Sequence, residues 1–155
     1  MKSIRVREAK LQDAYQIKNL INSYASRGRM LPVSLNQVYE RLRDFYVITN
    51  EKGNIVGCGS LKVTWKDLGE IRSLAVRRSA QKKGCGKILV STLLDQARKL
   101  GMKRVFVLTY VPEFFEKFSF ERIQKTKLPH KIWFDCINCP KFPRCDEVPL
   151  LKILK

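Results

Sequence analysis

The 155-residue sequence is 45% hydrophobic and 29% charged, the balance of a soluble globular protein, and it is long enough for one domain with a core but too short for two ordinary ones. No apolar run approaches the ~20 residues that cross a bilayer, and MKSIRVREAK lacks a signal peptide's charged-then-apolar order, so we expect a cytoplasmic protein without membrane association. A formal charge of +17, from 31 Lys and Arg against 14 Asp and Glu, predicts attraction to anions: nucleic acid, a phosphorylated cofactor or an acidic substrate.

Ser3 to Glu8 alternates like a short strand. Asp13 is read as the cap of a helix whose apolar positions Ile17, Leu20, Ile21 and Tyr24 fall at helical spacing until Gly28 stops it. Pro32 and Ser34 open a second helix, in which Ser34 and Gln37 form a capping box and Leu35, Val38 and Leu42 share a face. FYVIT (45–49) and IVGCGSLKVTW (55–65) read as strands around the turn EKGN. KDLG is the next expected turn, and EIRSLAV (70–76) a third strand. Gly84 to Leu100 is the strongest helix, with Leu89, Leu93, Ala97 and Leu100 as its expected buried stripe and Gly101 as its stop. RVFVLTY (104–110) is an apolar strand, Pro112 starts a short helix EFFEKF, and a last strand or two follow. The order predicts one mixed α/β layer: a mainly antiparallel central sheet with helices on both faces, in a single domain covering 1–155.

Between the third strand and the long helix lies RRSAQKKGCGK (77–87). A strand, a basic Gly-bearing loop and a helix N-terminus together suit phosphate, because unsatisfied backbone N–H groups and the positive dipole end point the same way. A surface loop with basic decoration would look similar. The loop is neither a Walker A loop, since no Lys-Ser or Lys-Thr follows the second glycine, nor a G-x-G-x-x-G dinucleotide turn.

Gln81, Gly84 and Gly86 make Gln-x-x-Gly-x-Gly, preceded by LAV and followed by an amphipathic helix. This resembles the acyl-CoA loop of the GNAT N-acetyltransferases, whose element order and Tyr-x-x-x-Gly-Phe segment are similar to the order here and to FFEKFSF. The resemblance implies a GNAT-like fold with acetyl-CoA as co-substrate and no metal requirement. It implies that Gln81 and the backbone amides of Lys82, Lys83, Gly84, Cys85, Gly86 and Lys87 hold the coenzyme A pyrophosphate. Leu74, Ala75 and Val76 would face the pantetheine arm, with Leu74 and Val76 pairing to it like an added strand, and Phe115 would join the cofactor side.

Direct acetyl transfer needs a neutral amine, stabilisation of the charge developing on the carbonyl oxygen, and protonation of the leaving thiolate. By the resemblance, Glu70 is the general base and the Val76 N–H the oxyanion donor. The helical position at which many relatives carry a Tyr acid is Phe115, which cannot donate a proton, so Tyr110 is the nearest phenol and water the alternative. Ser119 stands where the family usually has glycine. Cys85 and Cys58 read as inert thiols, lacking a His or carboxylate close in sequence.

GRMLPVS (28–34), GCGSL (57–61), EIRSLAV (70–76), LTYVPEFFEKFSF and above all LPHKIWFDCINCPKFPRCDE (128–147) together resemble the short, single-domain amino-acid N-acetyltransferases that make N-acetylglutamate for arginine biosynthesis. Glutamate carries two carboxylates, and Arg29, Arg72, Lys131 and Arg144 are the candidate cationic anchors. Relatives commonly show Arg where this chain has Val33, a departure that bears on glutamate specificity. Cys136, Cys139 and Cys145, with His130 or Asp146, offer a zinc set, but a second C-x-x-C is absent and His130 is the sole histidine, so structural thiols are the preferred reading. A basic nucleic-acid-binding module is the rival class, and we expect no nucleic-acid partner. A cationic polyamine acceptor would be repelled by the +17 charge; a homodimer is left open.

Overall fold

The computed structural model describes residues 4–28, 30, 32–128 and 147–155. Among them the strands are β1 (Arg5–Glu8), β2 (Phe45–Thr49), β3 (Ile55–Trp65), β4 (Leu68–Val76), β5 (Arg104–Thr109), β6 (Glu121–Arg122) and β7 (Val148–Ile153). The α-helices are α1 (Ala14–Ala25), α2 (Leu35–Glu40), α3 (Cys85–Lys99) and α4 (Pro112–Glu116). The strands make one sheet in the order β1-β2-β3-β4-β5-β7-β6. The β1–β2, β2–β3, β5–β7 and β6–β7 pairs are antiparallel. The expected mixed, mainly antiparallel α/β layer is therefore what the chain builds. Its residues fall into two compact units, 1–62 with 71–96, and 63–70 with 97–155.

In the first unit, all five residues of β2 are buried, as a continuous apolar strand between two covered faces requires. Helix α1 contributes Ala14, Ile17 and Ile21 and α2 contributes Val38 to a core with Phe45, Val47, Ile55, Cys58 and Ala75. Leu20, Tyr24, Leu35 and Leu42 pack against its edge, as the apolar spacing predicts, but α2 is shorter than expected: Leu42 belongs to a separate 3-10 turn, Leu42–Asp44. The capping box at α2 forms as the sequence predicts: Gln37 N–H donates to Ser34 Oγ at 3.1 Å, and Ser34 N–H to Gln37 Oε1 at 2.9 Å.

Asp13 departs from its expected role. It makes no side-chain cap on α1; a 3-10 turn, Leu11–Asp13, comes first, and the carboxylate turns back to accept the Lys10 N–H at 2.7 Å. Arg7 closes on it with Nη1 at 2.6 Å and Nη2 at 3.0 Å. The buried carboxylate thus ties β1 to the entry of α1, and a bidentate guanidinium outcompetes a distant helical N–H for it.

In the second unit, β5 pairs with β7 over six residues and β7 with β6, around a cluster of Leu68, Phe106 and Leu128. The KDLG turn is tighter than expected. Only Lys66 and Asp67 turn, and Leu68 and Gly69 already belong to β4, with Leu68 buried in that cluster. The Asp67 carbonyl accepts both the Lys103 and Arg104 N–H groups, and its carboxylate pairs with Arg104 at 3.2 Å. Leu100 also differs from its periodicity: it is 64% exposed. Helix α3 ends at Lys99 and Gly101 turns at φ +88°, so Met102 donates back to the Ala97 carbonyl and Leu100 is carried outward.

Candidate functional site

The site is built where β4 runs into α3, both within the first unit over residues 71–96. Arg77 N–H donates to the Val56 carbonyl of β3 at 2.7 Å. Because main-chain groups alternate sides along an antiparallel strand, Ala75 also faces β3 while Leu74 and Val76 turn their N–H and C=O groups away from it. That alternation supplies an outward donor and acceptor at Leu74 and an outward donor at Val76, whose carbonyl is taken by side chains.

Immediately before them β4 is irregular. Ser73 sits at φ +54°, a left-handed conformation that a non-glycine residue adopts at a cost of ~1–3 kcal/mol. Two β3 side chains hold the distortion: Cys58 Sγ donates to the Ser73 carbonyl at 3.5 Å, and Ser60 Oγ to the Arg72 carbonyl at 3.0 Å. Burial pushes the Cys58 thiol up to about 12, with an Ala75 backbone hydrogen bond pulling the other way, so the sulfur keeps the proton it donates. The reading of Cys58 as an inert thiol agrees with this.

Beyond β4, Arg77 and a 3-10 stretch, Arg78–Lys83, follow, with Arg77, Arg78, Lys82 and Lys83 exposed. Gly84 follows at φ +80°, and its carbonyl accepts the Ile88 N–H at 3.0 Å, the first bond of α3. The 15-residue helix therefore presents the free amides of its first turn, at Cys85, Gly86 and Lys87, beside a strip of cations. Charge and main-chain donors thus converge here, an arrangement that suits a phosphate. The Cys85 side chain is not part of it: the residue is fully buried, and burial pushes its thiol up against a smaller opposing pull from Lys83.

A hydrogen-bond triangle joins this end of β4 to α1. Tyr24 Oη donates to the Val76 carbonyl; Gln81 Nε2 donates to the same carbonyl at 3.1 Å and to Tyr24 Oη. Sequence reasoning missed Tyr24 as a site residue, reading it only as part of an apolar stripe. Its partners lie 52 and 57 residues away, so no local pattern could have signalled the hydroxyl.

Next to Ser73, a shallow depression is lined by Val33, Gln37, Val38, Arg41, Phe45 and Ser60. Asn22 fixes Val33 from both sides, donating to its carbonyl and accepting its N–H, each at 2.9 Å. Asp44 is half-buried nearby; burial raises its carboxyl above the ordinary range, while Arg41, Lys62 and Arg72 pull the other way. Arg72 itself, a candidate anchor, has its Nη1 atom shut off from solvent.

Glu70, Tyr110 and Phe115 belong to the second unit. Glu70 and Tyr110 are half-buried, while Phe115 is 3% exposed, with its ring edge-on to Phe114 and Phe120 at 5.1 and 5.6 Å. Arg29, Lys131, Arg144 and the zinc candidates Cys136, Cys139, Cys145, His130 and Asp146 lie outside the described residues. Among the described residues no group of three His, Cys, Asp or Glu side chains is gathered for a metal.

Comparison with known proteins places this geometry in context. Residues 11–120 match the acetyltransferase (GNAT) family. An uncharacterized N-acetyltransferase of Chlorobaculum tepidum is 40% identical over 149 residues, covering 96% of each chain. An amino-acid acetyltransferase of Mycobacterium tuberculosis is 39% identical over 130 residues, covering 83% of this chain and 74% of that one. Among solved structures, the N-acetylglutamate synthase of Neisseria gonorrhoeae, complexed with coenzyme A and N-acetyl-glutamate, superposes with a TM-score of 0.90 at 28% identity. The match spans 99% of this chain and 35% of that longer one.

Proposed function

The chain belongs to the acetyltransferase (GNAT) family and is an enzyme that uses acetyl-CoA, and we propose that it acetylates the α-amine of an amino acid, L-glutamate foremost. The product would be N-acetyl-L-glutamate, made in the cytoplasm for arginine biosynthesis. The observation that carries the reading is the junction of β4, basic loop and α3, in a chain 99% of which aligns with part of a synthase that is complexed with coenzyme A and N-acetyl-glutamate.

In the proposed reaction, the α3 amides and the cations of 77–87 take the pyrophosphate of acetyl-CoA. The outward main chain of Leu74 and Val76 receives the pantetheine arm, and the Val76 N–H stabilises the oxygen of the tetrahedral intermediate. Glu70 accepts the amine proton, directly or through one water, so that the nitrogen attacks as the neutral amine. The carbon–sulfur bond breaks as the intermediate collapses, and the thiolate takes its proton from Tyr110 or from water. Arg72, with Arg29, Lys131 and Arg144, would anchor the substrate carboxylates.

The three cations that act on Asp44, Arg41, Lys62 and Arg72, and the +17 charge of the chain support an acidic acceptor over a cationic one. Val33 lines that same depression with an apolar side chain, so any anchor at this point comes from another residue. The proposal is tested by incubating the protein with acetyl-CoA and glutamate and identifying the product by mass. N-acetylglutamate supports it; acetylation of another amine in preference to glutamate sinks the substrate assignment while leaving the family intact.

A further inference from the structure

The Val76 carbonyl is the acceptor that an added strand would be expected to use, and it already holds two donors. Tyr24 reaches it from α1 and Gln81 from the loop, and Gln81 also donates to the Tyr24 oxygen. A carbonyl has two lone pairs, and a phenol both donates and accepts, so the three groups satisfy one another in a closed ring. The ring has a structural consequence. Val76 C=O belongs to the peptide unit that leads into Arg77, whose N–H is fixed on the opposite side by Val56 at 2.7 Å. That peptide plane, the last before the basic loop, is therefore gripped at both its oxygen and its nitrogen.

Nothing else in the ring explains the choice of residues. Tyr24 stands at the rim of the core, where Phe or Leu would pack as well. Gln81 is exposed, where a polar side chain gains little by folding back on the main chain. We propose that Tyr24 and Gln81 are positioning residues for the co-substrate: they hold the Val76–Arg77 peptide so that the loop leaves β4 with its amides already aimed at the pyrophosphate. With the Val76 carbonyl filled, the co-substrate meets this residue through its N–H alone, the group assigned to the reacting carbonyl oxygen.

The inference rests on the assignment of residues 77–87 to the acetyl-CoA phosphates, and its test separates the two. Tyr24→Phe keeps the ring and removes the hydroxyl. Compare kcat/KM for acetyl-CoA with that for acetyl-pantetheine, which lacks the pyrophosphate, in the wild type, Tyr24→Phe, Gln81→Leu and the double variant.

One ordinary hydrogen bond corresponds to roughly a five-fold change. Each single variant is expected to lose about that factor on acetyl-CoA through KM, with kcat held, and to lose little on acetyl-pantetheine. The double variant should lose less than the product of the singles, because the two side chains act as one unit. Equal losses on both thioesters, or a loss in kcat alone, overturn the clamp as a phosphate-loop device, as does wild-type behaviour in both variants. Should Tyr24→Phe fold poorly, the exposed Gln81→Leu carries the test unaided. A wild type that binds no coenzyme A by calorimetry instead overturns the loop assignment on which the clamp depends.

Discussion

Gly59 of β3 lies against Leu74 of β4: a Cβ built at Gly59 would stand 3.0 Å from Leu74 Cδ1 and 3.2 Å from Leu93 Cδ1 of α3. Both contacts are the ends of leucine side chains, so one added carbon can be accommodated by rotation, while a branched side chain cannot. Gly59→Val is expected to cost about 1–3 kcal/mol by overpacking, with Gly59→Ala nearer the bottom of that range. Thermal unfolding of the two variants checks the order. Because Leu74 flanks the expected path of the pantetheine arm, Gly59→Val should also raise KM for acetyl-CoA.

The buried Asp13 carboxylate should make stability depend on acid. Burial alone would raise its pKa, but the paired Arg7 guanidinium and the Lys10 N–H together hold it below the ordinary carboxylate value. A depressed carboxylate contributes stability that is complete above the unfolded-state pKa, ~3.9, and is lost as pH falls through the folded value. Wild-type resistance to urea should therefore weaken from about pH 4 downward. Asp13→Ala, which leaves Arg7 without its carboxylate, should cost about 2 kcal/mol at neutral pH and remove that part of the acid dependence. Equal acid sensitivity in wild type and variant would count against the pair.

Ser119 stands at φ +68°, where an L side chain is strained and glycine is not. Its N–H donates to the Glu116 carbonyl at 3.1 Å and the next residue, Phe120, is buried, so the turn is held in this conformation rather than free to relax. Ser119→Gly is expected to stabilise the protein by up to about 1 kcal/mol, less whatever the freer unfolded chain takes back. A rise in Tm confirms this. The geometry also accounts for the Ser119 departure noted in the sequence: the position calls for a left-handed residue, and serine occupies it under strain.

What could be read before folding follows from how local each interaction is. Ser34 and Gln37 are three residues apart, and their capping box needs no tertiary context. The basic loop and its following helix are likewise contiguous, so their succession was legible as a string. Leu100 kept the spacing of its helix but fell one residue past the end, where Gly101 redirects the chain. Leu68 looked like part of a turn because its burial comes from Phe106 and Leu128, far along the chain. The Tyr24 hydroxyl and the Ser73 backbone were invisible for the same reason: each is defined by a partner on another strand or helix.

Cys85 tests whether transfer is direct. It sits in the first turn of α3, a place that often activates a thiol, yet it is fully buried and its pKa is raised. Cys85→Ala should keep kcat within about two-fold and cost roughly 1 kcal/mol of stability from the lost packing. A loss of activity by several orders of magnitude would mean that an acyl-cysteine intermediate forms here.

Glu70→Gln removes the proposed base without changing side-chain size. Positioned bases contribute typically about 10²–10⁴-fold, and the loss should be greatest at low pH, where the amine is most protonated and has most need of one. Steady-state rates from pH 6 to 10 provide the comparison. If the variant's pH profile parallels that of the wild type, Glu70 has no part in proton removal.

The most direct measurement supplies acetyl-CoA with each of the amino acids in turn and follows release of the coenzyme A thiol. The account predicts the highest kcat/KM for L-glutamate, with other acidic or amide side chains next and cationic acceptors last. Thiol release with glutamate no faster than with the other amino acids would contradict it.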